Sequence, residues 1–407
     1  MEQKYLQQDA TIKTKRDALE IFTTDYTANY LSRLHQNQIN SDTILFVIPV
    51  VFHIMHNYGA ENISKAQILD AIRNLNDDYQ KLNADTIQVI SQFQSIIGDA
   101  QVEFRLAQLD PQGNCTDGIT RHQTTLTEGG DDLLKAIVWW PADKYLNIWV
   151  ENSTPNGFAA YSNYPGVSAA LDGIVCLDEF VGTIGTSALI NVHLLSHEAG
   201  HYFNLIHILG STNTPGVAVN CITDDLVFDT PNTIGSSGCN LNQSTCSTGL
   251  IDNVQNIMDY SSCPHMFTQG QAVRMQAALN STIGDRNNLC SQSNLLLTGT
   301  NDGFPITVCA PIADVTDKTF RICEGQSITF NNLSYGGDFP TINWQFTGGN
   351  IAASTDTNPT VMYNTAGVYD VTLTVTNSAG TSTLTRIGLV NVIPAIPTLT
   401  APIAQDF

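Results

Sequence analysis

The stretch from His197 to His207 reads HEAGHYFNLIH, and its first five residues, H-E-x-x-H, set how the rest of the chain is read. Histidines four apart on a helix lie on one face, a turn from each other. Two imidazoles so placed can share a metal ion, with Glu198 between them reaching a coordinated water. Zinc lowers the pKa of such a water to about 7, so a neighbouring carboxylate can take its proton and later pass it to a leaving amine. The preceding residues, SALINVHLL (Ser187–Leu195), supply helix formers and apolar side chains to seat that helix.

Two histidines need a third protein ligand. A glutamate from a following helix is excluded within this region, because the chain has no glutamate between Glu198 and Glu324. His207 stands six residues after His201, and a continuing helix would carry it about 600° round, away from the metal. The helix must therefore end and the chain bend back. Asn204 suits that bend, since asparagine enters the left-handed region far more readily than most residues. An aspartate from Asp224, Asp225 or Asp229 is the rival third ligand. His193, one turn before His197, is expected to pack in the helix.

Around this motif the composition narrows the classes. The 407 residues exceed one ordinary core, so two or three domains are expected. There are 38 acidic against 17 basic residues, a formal charge of −21, which argues against nucleic acid and anionic membranes as partners. No stretch reaches the roughly 18–20 apolar residues of a membrane span. No apolar signal segment is visible at the N-terminus. Cys221, Cys239, Cys246 and Cys263 cluster in a loop-rich region without C-x-x-C spacing, which reads as two disulfides rather than a zinc ribbon. Export is the expectation, with the signal already removed.

Residues 1–46 are polar and mixed, with at most a short helix around Ala18–Phe22, and read as a leader or pro-segment. ILFVIPVVFHIM (44–55) is a buried-strand run, and SKAQILDAIRNLNDDYQKL (64–82) carries Ile68, Ile72, Leu75 and Tyr79 at helical spacing after Ser64 as N-cap. Strands follow at VEFRLAQL, YLNIWV, NGFAAYSNY and DGIVCLDEF, ahead of the metal-motif helix, which implies a mixed sheet with helices on it. Residues 208–256 lack periodicity. From about 313 to 394, short strands and turns succeed one another as in a β-sandwich.

HExxHxxNxxH followed by NIMDYSSCPHMFTQGQAVRM resembles the metzincin zinc metallopeptidases, and within them the pappalysin or cytophagalysin family. The likeness extends over roughly residues 46–290, through IPVVFHIMHN, the 63–85 helix segment and KYLNIWV. It implies zinc on His197, His201 and His207 and Glu198 as general base. It further implies Met258 as an apolar floor beneath the histidines, and Tyr260 as a donor to the oxyanion or a cap on the metal. CITDDLVFDTPN resembles a loop that supports structural calcium, making Asp224, Asp225, Asp229 and Thr230 candidate calcium ligands. The family pairing joins Cys221 to Cys246 and Cys239 to Cys263. Gly157, Phe158, Ala159, Ala160 and Tyr161 are the candidate edge strand for a peptide substrate, with GIVCL beside it.

The chain departs from the family in three places. Asn204 stands at the glycine position. No cysteine precedes Cys115 to serve latency, so any pro-segment works through another group, such as an aspartate. Ser261 and Ser262 replace the acidic residues that would favour cleavage before Lys or Arg. The C-terminal INWQFTGG and YNTAGVYDVTLTVTNSAGTST resemble PKD-type domains, with Trp344 as core and Cys309–Cys323 as an expected staple.

The expected architecture is an α+β metzincin-like catalytic domain, with a mixed twisted sheet, an active-site helix and an irregular disulfide-stapled lower half. An all-β immunoglobulin-like sandwich follows it. Its divisions are 1–46 leader, 47–295 peptidase domain, 296–312 linker, 313–395 PKD-type sandwich and 396–407 the start of a further region. The expected function is secreted zinc endopeptidase acting on proteins or peptides as a monomer, with calcium as structural ion and surface or matrix contact through the sandwich. The alternatives are an adhesin-like binding protein with an idle peptidase domain, and a peptidase with an aspartate third ligand.

Overall fold

The computed structural model describes residues 9–35, 45–155, 157–305 and 308–395. Contacts divide it into two units, Met1–Asn114 with Gly118–Pro305, and Cys115–Asp117 with Ile306–Phe407. Among the described residues no helix is long and apolar enough to cross a membrane.

The first unit is built on β1 (Phe46–His56), whose β-branched residues are buried on both faces, as expected of a central parallel strand. Its first half pairs with β2 (Val102–Leu106) and its second half with β3 (Ile119–Gln123). On its other flank lies β4 (Leu146–Glu151), then β6 (Ile174–Leu177) and, at the edge, β5 (Ala160–Ser162). All pairings are parallel except β5 with β6. The sheet is therefore mixed through a single antiparallel edge strand. Sequence reading missed β3, and it drew β5 too early. Only Ala160–Ser162 is strand, because Gly157 turns with φ +68° and Phe158 points outward.

Helix α2 (Lys65–Tyr79) is capped by Ser64, whose hydroxyl accepts from Gln67 N at 3.2 Å. It buries Ile68, Ile72, Leu75 and Tyr79 against the sheet, in one core with residues of α3 (Leu194–Tyr202) and α4 (Gln269–Asn280). The leader differs most from expectation. Ala10–His35 forms a 26-residue helix, α1, that buries Ile12, Leu19 and Thr23. Residues 1–8 and 36–44 of the expected leader lie outside the described residues, as do 396–407 of the expected further region. The helix Gln292–Thr298 also carries the first unit past the expected boundary at 295.

In the irregular half, Cys221 is bonded to Cys246 and Cys239 to Cys263, as the family resemblance implied. The expected Cys309–Cys323 staple is wrong: Cys309 is bonded to Cys115, and Cys323 is a free thiol. The sandwich explains why. Its strands are β7 (Phe320–Cys323), β8 (Gln326–Thr329), β9 (Thr341–Phe346), β10 (Ala353–Ser354), β11 (Thr360–Tyr363), β12 (Gly367–Asn377) and β13 (Gly380–Ile393). Cys309 O accepts from Asn377 Nδ2 beside the start of β13, whereas Cys323 pairs with Ile393 at its far end. A strand of that length spans roughly 40 Å, far beyond the ~6 Å that a disulfide bridges. The sheets run β10-β9-β12-β13-β7 and β11-β8, around a fully buried Trp344 that stacks on Phe346.

Buried Glu151 at the end of β4 gives a pH prediction. Burial pushes its carboxyl up to about 8, and nearby Lys135 offsets this only in part. The unfolded chain ionises this group near the ordinary ~4.3, so ionisation favours unfolding. Its destabilising effect is absent below about pH 4, grows up to about 8 and is constant above. Glu151→Gln is expected to raise the melting temperature by on the order of 5 °C at pH 8 and to change it little at pH 4.5. Equal melting curves at pH 8 would contradict this assignment.

Candidate active site

Helix α3 carries HEAGHY, and its two ends are held by residues from distant parts of the chain. At the N-terminal end, Asp78 of α2 accepts from His193 Nδ1 at 2.9 Å and from the Ser196 hydroxyl, while Tyr79 OH donates to Ser196 O at 3.0 Å. At the C-terminal end, Asn204 N donates to His201 O and Leu205 N to Gly200 O, both at 2.9 Å. These bonds satisfy the last carbonyls and turn the chain through Asn204, whose φ is +74°. Arg286 donates to Tyr202 O at 3.2 Å, lies over the Tyr202 ring and forms a buried bidentate pair with Asp172. Fixed at both ends, the helix holds its histidines in place.

The reversal brings His207 back to the helix. Its Nε2 lies 3.1 Å from His197 Nε2 and 3.0 Å from His201 Nε2. His197 Nδ1 donates to Ile257 O at 2.7 Å and His201 Nδ1 to Leu205 O at 2.8 Å, so their Nε2 lone pairs face inward. Burial holds the His197 and His201 imidazoles down at about 4 and 3, and that of His207 well below its ordinary value. The Nε2 atoms of His197 and His201 thus offer lone pairs toward His207 Nε2, and three imidazoles meeting at this spacing are a fitting donor set for zinc.

Glu198 is 7% exposed, and burial pushes its carboxyl up to about 8. Met258 is fully buried beneath the helix: a Cβ on Gly200 would stand 2.6 Å from its Sδ, which explains the glycine of HEAGH. The Tyr260 ring lies 4.7 Å from that of His207 and is 40% exposed, with its hydroxyl held up at about 12 by burial. It therefore stays protonated and can donate.

The aspartates proposed as rival ligands point elsewhere. Asp225 accepts from the Thr230 hydroxyl and Val227 N, and Asp229 from the Thr268 hydroxyl and Gly270 N at the start of α4. Asp224 accepts from Leu226 N. Among the described residues these carboxylates do not converge on the three histidines.

The side chain of Asn204 has a second role that the motif alone did not reveal. Its Oδ1 accepts from Arg16 Nη1 at 2.8 Å, and its Nδ2 donates to Glu20 Oε1 at 3.1 Å, both on α1. Glu20 also pairs with Arg274 of α4, which donates to Asn204 O at 2.8 Å. Arg16 stacks on Tyr164, whose hydroxyl is 3.2 Å from His201 Nδ1. Asn204→Ala forces an alanine to positive φ and removes the two side-chain bonds to Arg16 and Glu20, and is expected to cost about 1–2 kcal/mol. Asn204→Gly keeps the turn and loses only the bonds. Thermal unfolding should rank wild type above glycine and glycine above alanine; alanine matching glycine would contradict the left-handed role.

Comparison with known proteins follows the same lines. Residues 129–280 match the family described as pregnancy-associated plasma protein-A, and residues 308–392 match the PKD domain family. Mature mirolysin of Tannerella forsythia, solved in complex with a cleaved peptide, is 32% identical. The match covers 63% of this chain and 98% of that one, with a TM-score of 0.57. This chain is a pappalysin-family metallopeptidase of the metzincin type, followed by a PKD domain. A promirolysin mutant from the same organism is 29% identical to the peptidase, over 67% of this chain and 93% of that one, with the same TM-score of 0.57. An extracellular metalloprotease of Arthroderma otae is 24% identical over 239 residues, 57% of this chain and 77% of that protein.

Proposed function

We propose that the peptidase is a secreted, zinc-dependent endopeptidase with His197, His201 and His207 as zinc ligands and Glu198 as general base. The observation that supports this reading is the meeting of three imidazole Nε2 atoms, with His207 Nε2 3.1 Å from that of His197 and 3.0 Å from that of His201. His197, His201 and His207 would hold the zinc ion, which would supply Lewis acidity and an acidic water near neutral pH. Glu198, buried on the helix of His197 and His201 and drawn to its ionised form by a cation held there, would take the proton of the attacking water and return it to the leaving amine. Tyr260 donates its hydroxyl proton in a hydrogen bond to the oxygen that gains charge. Met258 keeps the floor apolar and the rings fixed. The substrate backbone adds as a strand along β5, the antiparallel edge beside β6.

Secretion is supported by three disulfides and by relatives named as extracellular enzymes. Helix α1 serves as the pro-segment, docked on Asn204 and Arg274. Calcium is proposed in the 224–230 loop, where Asp225 is 2% exposed and burial disfavours its ionised form, which a bound cation would stabilise.

Chelation tests the reading. Treatment with 1,10-phenanthroline is expected to lower cleavage of a quenched-fluorescent peptide by at least about 100-fold, and stoichiometric zinc to restore it. Activity that persists in metal-free protein would overturn the zinc mechanism. Inactivity of the zinc-loaded protein after removal of α1 would favour a binding protein.

A further inference from the structure

Besides the three active-site histidines, one other group of side chains among the described residues could share a metal. The ligand atoms of Asp85, His193 and His265 all lie within 4.8 Å of one another. Asp85 sits in the short helical turn Ala84–Gln88, His193 caps the N-terminal end of α3, and His265 lies between Met258 and α4. Asp85 Oδ2 is 2.8 Å from His193 Nε2 and 2.9 Å from His265 Nδ1.

The geometry points to a second transition-metal site at Asp85, His193 and His265, separate from the catalytic centre and taking zinc or a neighbouring late first-row divalent ion. Its surroundings are those of a ligand set. The buried Asp78 carboxylate accepts from His193 Nδ1 at 2.9 Å, which turns Nε2 toward Asp85. A carboxylate behind an imidazole in this way orients metal-bound histidines and raises their basicity. Asn83 Nδ2 donates to Asp85 Oδ1 at 2.6 Å and to His265 O at 2.8 Å, so one amide aims both outer ligands.

Two imidazoles and one carboxylate suit zinc and its neighbours, whereas calcium and magnesium prefer all-oxygen shells. The side chains of Asp85 and His265 are 23% and 14% exposed, so an ion can enter and a water can complete its shell. Small rotations of Asp85 and His265 would open the set to the ~2 Å ligand distances of zinc. The rival occupant is a proton on His193 bridging Asp78 and Asp85; an ion displaces it and releases it to solvent. Bound metal would tie the first turn of α3 to the segment after Met258. The proposal does not depend on the catalytic reading.

Metal content of the full chain decides it. The protein is stripped, equilibrated with zinc alone at pH 7.5, desalted and measured by inductively coupled plasma mass spectrometry. Two zinc ions per chain are expected in wild type, one in His265→Ala, one in Asp85→Asn, one in His207→Ala and none in the His207→Ala/His265→Ala double variant. His265 is near the surface, and near-UV circular dichroism checks that its variant keeps the native fold. A single ion in wild type that is lost in His207→Ala and kept in His265→Ala overturns the second site and leaves the catalytic reading standing. The reverse loss supports the second site and removes the catalytic one. Two ions retained in both His265→Ala and Asp85→Asn also overturn it.

Discussion

Replacing Glu198 by alanine is expected to lower peptide hydrolysis by roughly 10²–10⁴-fold while zinc content stays at the wild-type level. The two effects separate because Glu198 shares the helix with the histidines without being one of the converging donors. The residue is enclosed, 7% exposed, on the helix that also carries His197 and His201. Alanine also suits a helix interior, so α3 should keep its length and its caps. The check is kcat for a defined peptide together with zinc analysis of the same sample. Activity retained in the variant would mean that the proton goes elsewhere.

Replacing His207 by alanine is expected to have the other large effect: loss of the active-site zinc, and with it activity below detection. Two histidines on one helix turn remain, but a structural or catalytic zinc site ordinarily needs three protein ligands. A substitute carboxylate is not at hand, because Asp225 and Asp229 are committed to the Thr230 and Thr268 hydroxyls and to backbone N–H groups. Retained active-site zinc in His207→Ala, lost again on Asp225→Asn or Asp229→Asn, would show that an aspartate takes that place.

Much of the catalytic unit was legible because its signals are local. The i, i+4 histidines, the left-handed preference of Asn204 and the 3.6-residue spacing of Ile68, Ile72, Leu75 and Tyr79 each act within a few residues. The β-branched run of β1 likewise announced a buried central strand. What was not legible depends on distance. Asp78, Asp172, Arg274 and Arg286 fix α3 and the turn after it through partners 70 to 118 residues away, and no spacing encodes such pairs. Cys115 and Cys309 are separated by 194 residues, and spacing alone does not give disulfide connectivity. Helix α1 was underestimated because its polar sequence buries little beyond Ile12, Leu19 and Thr23. Its place is set instead by Arg16 and Glu20 meeting Asn204 and Arg274.

The same contacts revise the meaning of Asn204. Tolerance of positive φ explains why an asparagine can end the helix, and glycine would do that equally well. The amide adds what glycine lacks, a donor to Glu20 and an acceptor from Arg16 on α1. The residue thus joins the terminus of α3 to the segment proposed as its pro-segment.

The most direct measurement is anomalous diffraction from crystals of the zinc-loaded protein, with data on both sides of the zinc absorption edge. A peak about 2.0–2.1 Å from Nε2 of His197, His201 and His207, with Glu198 outside the coordination shell, is the predicted result. A peak ligated by His197, His201 and a carboxylate of Asp224, Asp225 or Asp229, with His207 turned away, would contradict it.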